Sequence, residues 1–139
     1  MSYSRISGSK IAEWLNDNYL LNGSPFLFTA FPPFTPEAPA NLGIVTLLPG
    51  QGFENEKQFE VRGFSLSIRS IQNIPEIAEQ VSLEVDTLFH TMDMPWRFNN
   101  VLVNSIEWFG GGPAPMPYNI LTGRYIWVCS YRTISATGF

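Results

Sequence analysis

Residues 57–91 read KQFEVRGFSLSIRSIQNIPEIAEQVSLEVDTLFHT, and the apolar residues of this stretch change their spacing once. In the first half they alternate with polar residues, which is typical of a β-strand with one buried face. In the second half they recur at the spacing of an amphipathic helix, at Ile77, Val81, Val85 and Leu88. Asn73 and Pro75 are typical of a helix start. The stretch therefore predicts a long strand followed by a helix.

The strand half of this stretch has its apolar residues in two registers. Phe59 and Val61 share one parity. The other parity is used by Phe64, Leu66 and Ile68. Side chains change sheet face at every residue, so a regular strand would bury only one of these sets. A bulge at Gly63 would bring both sets to the same face, and we expect one there.

Three elements are predicted upstream of residue 57. Ser9 is a suitable N-cap for a helix that runs to about Asn22, where Asn22 and Gly23 provide a stop. An apolar run over residues 25–31 predicts a short or edge strand, because two prolines follow it. The continuously apolar residues 43–48 predict a strand buried on both faces. This strand pairs with the long strand as a hairpin whose tip is formed by residues 50–56.

Two further strands are predicted downstream of the second helix. Residues 100–109 place Leu102, Ile106 and Trp108 on one face, and residues 123–134 follow a loop rich in glycine and proline. The order helix, three strands, helix, two strands predicts a single α+β domain over residues 1–139. We expect one mainly antiparallel sheet of about five strands, with two main helices packed on it that cover only part of its surface.

The chain is poor in charge for a soluble domain. Only 14% of its 139 residues are Asp, Glu, Lys or Arg, against about 25% in typical domains. The 8 basic residues are scattered and the formal net charge is -4, which argues against a surface that grips nucleic acid. The sequence has no run of roughly 20 apolar residues and no recognisable signal peptide. We expect a soluble protein that buries part of its surface in an assembly.

No pattern of residues predicts catalysis. His90 is the only histidine and lacks a metal-binding partner motif, so we expect it to interact with the last carbonyls of its helix. Cys129 is the only cysteine and is expected to be a small buried side chain. The glycines at 110–112 are followed by proline, without the lysine of a phosphate-binding loop. We therefore predict that the protein is not an enzyme and has no catalytic residue, metal site or cofactor.

The order of the elements resembles that of the tail terminator proteins of long-tailed, siphovirus-like bacteriophages and of the related phage minor capsid family. The similarity extends over most of the chain and is strongest at residues 31–34, 43–50, 59–69, 75–88 and 125–131. It consists of cues of topology and composition and includes no catalytic motif. The resemblance implies a structural virion protein with a tail-terminator-like α+β fold.

The resemblance also implies a function in joining the phage head to the tail. Such a protein forms a ring, expected to be a hexamer, at the head-proximal end of the tail. The ring stops polymerisation of the major tail tube protein and joins the tail to the head-tail connector proteins. DNA passes through its lumen without specific binding, and no membrane is involved. The protein is made in the host cytoplasm and is located in the virion.

Loops are the expected contact regions in such a ring, because loops carry recognition on a rigid sheet. Apolar residues in otherwise irregular loops are the candidate interface anchors, namely Phe34, Phe53, Met116 and Tyr118. The candidate lumen residues are Glu54 and Glu56 at the hairpin tip, or the exposed face of the second helix with Glu76, Glu79 and Glu84. An acidic lumen lets DNA slide where a basic lumen would hold it.

Two other functions fit the same sequence. One is a neighbouring head-tail completion protein, such as a connector or stopper component. The other is a small ligand-binding domain that uses aromatic residues of the sheet, of which Trp127 and Tyr131 are examples. The oligomeric state separates the second from the phage functions, because a ligand-binding domain does not require a ring.

Overall fold

The fold is built from two helices and ten strands in the residues that the structure describes. The structure is a computed structural model, and it describes residues 5–31, 41–48, 52–54, 59–71, 76–93, 95–98, 101–116 and 124–136. In chain order the elements are α1 (Gly8–Asn18), β1 (Leu20–Leu21), β2 (Ser24–Pro25), β3 (Phe28–Thr29), β4 (Leu42–Leu47), β5 (Gly52–Glu54), β6 (Phe59–Ile71), α2 (Glu76–Thr91), β7 (Trp96–Phe98), β8 (Val101–Trp108), β9 (Ala114–Pro115) and β10 (Arg124–Ala136).

Two long antiparallel strands form the centre of the sheet. β6 and β10 pair along their whole length, from Ile71 opposite Arg124 to Phe59 opposite Ala136. β4 and β5 lie one after the other along the outer edge of β6. β8 and β9 lie in the same way along the outer edge of β10. The α+β class and the mainly antiparallel sheet are confirmed, but the sheet contains eight described strands and not five, because β5 and β9 continue the two outer edges and β7 pairs with β8.

Both helices pack on the same side of the sheet, which we call the helix face. The sheet contributes Val45, Phe64, Leu66, Ile68, Cys129 and Tyr131 to the core beneath them. From the helices, Ile11, Trp14 and Leu15 of α1 meet Val81, Val85 and Phe89 of α2. The Phe89 ring lies 5.9 Å from that of Trp14 and 5.0 Å from that of Tyr131. The predicted apolar stripe of α2 is thus confirmed as the face that closes the core.

The predicted bulge at Gly63 is wrong. Gly63 pairs with Arg132 in an unbroken register, and the even-numbered residues of β6 face the helices from Glu60 to Ser70. The register changes in the neighbouring strand: Leu47 lies opposite Phe64 and the Leu48 N–H donates to the Gly63 carbonyl at 2.8 Å, whereas Gly52 of β5 lies opposite Val61. The prediction assumed that the apolar residue Val61 faces the core. In the structure the charged residue Glu60 occupies the helix-face position before Arg62.

The bulge that does occur lies in β8. Ser105 pairs with Ile134 and Val103 pairs with Ser135, so Asn104 is the extra residue. Val101 and Val103 are therefore buried on the same side as Ile106, which packs against the core. The prediction that Leu102 shares a face with Ile106 and Trp108 is wrong, because the extra residue reverses the parity.

The N-terminal region differs from its prediction at both ends of α1. Ser7, and not Ser9, caps the helix, since its Oγ accepts from the Lys10 N–H at 3.3 Å. The helix ends at Asn18, and Asn22 and Gly23 form the turn between β1 and β2 with φ values of 50° and 84°. Left-handed φ at both central residues is the reason that Asn-Gly is favoured in two-residue hairpins.

The strand predicted over residues 25–31 is short and lies at the edge of the sheet, as expected. Phe28 and Thr29 pair with β4 and run parallel to it, whereas Pro25 belongs to the separate β1–β2 hairpin. Phe26 and Phe28 are both buried, and the Phe28 ring packs so close to Gly43 that a Cβ at that position would lie 2.4 Å from it. Position 43 therefore requires glycine, because the Phe28 ring occupies the space that a side chain would need.

Candidate assembly surfaces

The side of the sheet opposite the helices, which we call the open face, has a different composition. Its central residues are half-buried hydroxyl, aliphatic and arginine side chains, namely Val61, Ser65, Ser67, Arg69, Ile126, Val128, Ser130, Arg132 and Ile134. Both described helices pack on the other side. Glu107 pairs with Arg132 on this face, so two of its charges neutralise each other. The small amount of unpaired charge at the centre of this face is a feature that it shares with protein-protein interfaces.

Two exposed apolar residues lie beside the open face at the outer edge of β10, and we call the segment between them, residues 109–116, the edge loop. The Phe109 N–H donates to the Ser130 carbonyl and the Met116 N–H to the Ile126 carbonyl, both at 2.8 Å. Because Ser130 and Ile126 belong to the open face, this register places Phe109 and Met116 on the same side. Their exposed fractions are 57% and 52%.

Two glycines give the edge loop its path. Gly110 and Gly111 have φ values of 84° and 119°, and no atom lies within 4 Å of a Cβ built at either position. Only glycine adopts such values without strain. The chain can therefore leave β8 at Phe109 and return to β10 as β9 within a few residues.

The structure places the other predicted anchors in different ways. Phe53 and Glu54 lie in strand β5, where they pair with Glu60 and Phe59, and not in the predicted loop. Phe34, Tyr118 and Glu56 lie outside the described residues. Glu76, Glu79 and Glu84 of α2 are exposed, as the lumen alternative requires, but Glu84 accepts a hydrogen bond from Tyr19.

Phe53 and Met116 are far apart in one copy of the chain. Phe53 pairs with Glu60 at one end of β6, whereas Met116 bonds to Ile126, which pairs with Arg69 near the other end. Arg69 lies nine residue steps along the strand from Glu60, and at about 3.3 Å per step they span roughly 30 Å. The two candidate anchors therefore cannot belong to one contact patch.

A groove of about 520 Å³ lies on the helix side, between the end of α1 and α2, and we call it the helix groove. Its lining includes Tyr19, Leu20, Leu83, Glu84, Thr87 and Leu88. Leu20 and Leu83 are 56% and 45% exposed. Sequence analysis missed this groove, although Leu83 is a large apolar residue outside the buried stripe of α2, which is the signal that could have indicated it.

Hydrogen bonds hold the two walls of the helix groove together. The Tyr19 hydroxyl donates to Glu84 Oε1 at 2.6 Å, and the Gln80 amide donates to Asn22 Oδ1 at 2.9 Å. Burial and then the Glu84 carboxylate raise the pKa of Tyr19 well above its ordinary value. The hydroxyls of Thr87 and Thr91 donate to backbone carbonyls four residues earlier, at 2.9 Å and 2.8 Å. These hydrogen bonds hold the groove in place. The hydroxyl groups of Tyr19, Thr87 and Thr91 that line it already donate to acceptors within the chain.

A second cluster fastens α2 to the sheet. Asp86 Oδ1 accepts from Trp108 Nε1 at 2.7 Å and from the Tyr131 hydroxyl at 2.8 Å. His90 Nδ1 lies 2.8 Å from the Asp86 carbonyl oxygen, which agrees with the expected interaction with carbonyls near its helix end. Burial, followed by interactions with Cys129 and Asp86, raises the pKa of Tyr131. Burial also raises the pKa of the Cys129 thiol, so both groups remain protonated near neutral pH and neither is an activated nucleophile.

A buried carboxylate closes the other end of the core. Glu60 is 1% exposed, and its Oε2 accepts from Arg5 at 2.5 Å and lies 3.8 Å from Arg62. Hydrogen bonding to Glu60 raises the pKa of Arg5. Within the described residues, Glu60 Oε1 and the facing Ser135 Oγ have no hydrogen-bond partner. Sequence analysis missed this ion pair because its members are 55 positions apart.

Neither the described side chains nor the comparisons with known proteins assign a chemical activity. Among the described residues, no three His, Cys, Asp or Glu side chains are arranged to hold a metal ion, and no described helix is long and apolar enough to cross a membrane. A scan against models of known protein families finds no match, and a search of curated proteins finds no significant match. A function therefore has to be proposed from the surfaces described above.

Proposed function

We propose that this chain is a structural phage protein, a tail terminator that forms a ring at the head-proximal end of the tail tube. The observation that carries the proposal is the one-sided packing of both helices, which leaves the open face and the exposed Phe109 and Met116 beside it. In this role the ring ends polymerisation of the major tail tube protein and joins the tail to the capsid connector. The virion is its proposed location.

The charge content supports an assembly subunit. The centre of a protein-protein interface is depleted of charged residues and enriched in aromatic residues and methionine. The chain has 14% charged residues and 14% aromatic residues. On the open face, the charge of Arg132 is neutralised by Glu107. A surface of this composition loses little on desolvation when a neighbouring subunit covers it.

A net negative charge supports the passage of DNA. The formal net charge is -4 per chain, and a ring multiplies it around one axis. Glu54 and Glu56 are the proposed lumen residues. Their carboxylates would repel phosphate groups and keep DNA from adhering to the wall.

The experiment that tests this proposal is a measurement of mass and shape with the tail tube protein present. We expect native mass spectrometry and electron microscopy to show a closed ring, with six copies, bound at one end of assembled tubes. The M116S variant should weaken ring formation, whereas the matched E13Q variant on the exposed side of α1 should not. A protein that stays monomeric in the presence of tube protein would contradict the proposal.

Two alternatives are separated by the same measurement. A connector or stopper component would form a ring that binds the capsid portal complex and leaves tube length unchanged. A ligand-binding domain using aromatic sheet residues would remain a monomer or dimer. The second alternative has less support, because Tyr131 is fully buried beneath the helices and Trp127 packs against the core.

A further inference from the structure

The molecule has exposed apolar features on both sides of the sheet. On the helix side, Leu20 and Leu83 line the helix groove. On the other side, Phe109 and Met116 of the edge loop lie beside the open face. All four side chains are between 45% and 57% exposed. A contact between such unlike surfaces joins copies head to tail, because each copy offers one of them to each neighbour.

Charge is divided between the described helices and the described strands. The helices carry six carboxylates and one lysine, namely Glu13, Asp17, Glu76, Glu79, Glu84, Asp86 and Lys10. The described strands carry five arginines and three glutamates, namely Arg62, Arg69, Arg97, Arg124, Arg132, Glu54, Glu60 and Glu107. The helical layer is therefore negative and the sheet is positive. Copies stacked with the sheet of one against the helices of the next bring opposite charges together.

We propose that the edge loop of one copy docks in the helix groove of a second copy. This inference rests on the proposed function and names the contact that would build its ring. The edge loop, residues 109–116, reads FGGGPAPM and contains no charged side chain, so it brings no ion of its own out of water when it enters the groove. The groove volume is about 520 Å³, within the range of roughly 300 to 1,000 Å³ that small-molecule pockets have.

The geometry of the groove wall favours this occupant. Glu79 lies one helical turn before Leu83 and is exposed, and Glu84 is exposed beside it. These carboxylates face the neighbour whose sheet carries the excess of arginine. Because the hydroxyls of Thr87 and Thr91 already donate within α2, an apolar loop covering them leaves no donor unsatisfied.

A complementation experiment tests the contact. The L83D variant has a damaged groove and an intact loop, and the M116D variant has the reverse. Each variant alone should associate more weakly than wild type, by a factor on the order of 100, because a charge enters an apolar contact. A 1:1 mixture should form a dimer containing one copy of each and nothing larger, since only one complete contact remains. L27D, at a residue that is 47% exposed outside both surfaces, is the matched control.

Crosslinking tests the same contact when association is weak. In a C129S background, a mixture of the L83C and M116C proteins treated with a short bismaleimide should give a covalent heterodimer, well above the L27C and M116C control mixture. Equal yields in the two mixtures would overturn the inference, as would wild-type assembly by both aspartate variants. If the ring still forms in both L83D and M116D, the proposed contact is wrong and the proposed function stands. If the crosslink forms but the wild-type protein assembles only into open chains, the proposed contact stands and the terminator ring is wrong.

Discussion

The guanidinium of Arg5 donates a 2.5 Å hydrogen bond to the carboxylate of Glu60, which lies 55 positions away and is almost fully buried. We expect R5A to lower the free energy of unfolding, because among the described residues it leaves the buried carboxylate with Arg62, at 3.8 Å, as its remaining cation. The E60L variant removes the carboxylate, so adding R5A to it should have a much smaller effect. Urea unfolding of the two single variants and the double variant measures this coupling. Additive effects would show that the pair does not act as a unit.

Asp86 should be the most sensitive polar position of α2. The D86A variant leaves the buried Tyr131 hydroxyl and Trp108 Nε1 without the acceptor that they share. We expect a loss of about 2 to 3 kcal/mol in the free energy of unfolding. The control is E79Q on the exposed side of the same helix, which should change stability by less than about 0.5 kcal/mol. Urea unfolding monitored by tryptophan fluorescence gives both values, and equal losses would contradict this assignment.

Stability should fall in alkaline solution. Burial raises the pKa of Tyr131 above its ordinary value of 10.0, so the folded chain holds this proton more tightly than the unfolded chain. The contribution is complete below pH 10 and is lost as the pH rises towards the folded pKa. The slope is at most about 1.4 kcal/mol per pH unit for this group. Y131F should flatten the decline above pH 10 and cost about 1 kcal/mol at pH 8. If the stability curves of wild type and Y131F run parallel between pH 8 and 11, the ionisation of Tyr131 is not the cause of the decline.

Gly43 should not tolerate even a methyl group. In G43A the new Cβ would lie 2.4 Å from the Phe28 ring, and we expect a loss of about 1 to 3 kcal/mol from overpacking. Replacing the ring in G43A/F28L should recover part of that loss in thermal unfolding. If the double variant is as unstable as the two single losses added together, the close approach is not the cause.

Association should weaken as salt is added. The proposed contact brings the negative helical layer of one copy against the positive sheet of the next, and such attractions are screened over about 8 to 10 Å at 0.1 to 0.15 M salt. Sedimentation between 50 mM and 500 mM NaCl should show a progressive loss of assembly. Association that strengthens with salt would indicate a contact dominated by apolar burial, in which the charge division has no part.

The elements predicted well from the sequence are those whose pattern is local. The four buried residues at the start of β4 and the stripe of α2 follow from uninterrupted apolar spacing. The elements predicted wrongly depend on distant partners. Glu60 faces the core because Arg5 reaches it from another part of the chain, and no property of residues 59–64 signals that. The bulge at Asn104 is likewise defined by the register of β10.

The candidate surfaces also divide into features with a local sequence pattern and features that depend on distant residues. Met116 is a candidate anchor because it is an apolar residue in a proline-rich loop, and the structure shows that it is exposed. Phe109 was assigned to the end of a strand, and its exposure depends on where β8 stops pairing with β10. The shape of the helix groove depends on residues that are distant in sequence, since it forms only when the β1–β2 hairpin lies against α2. The Asn22-Gly23 pair was the available signal for that hairpin.

The full-length pairing of β6 with β10 has a consequence for how the chain folds. Its paired residues are 53 to 77 positions apart in sequence, so the loop-closure entropy is lost before the central contacts form. During synthesis, β6 leaves the ribosome with Phe64, Leu66 and Ile68 uncovered until α2 and β10 follow. The edge loop also acquires its position only when β9 pairs with β10. A chain that has not completed its sheet therefore lacks the proposed docking edge, so we expect the proposed contact between copies to form only after each has folded.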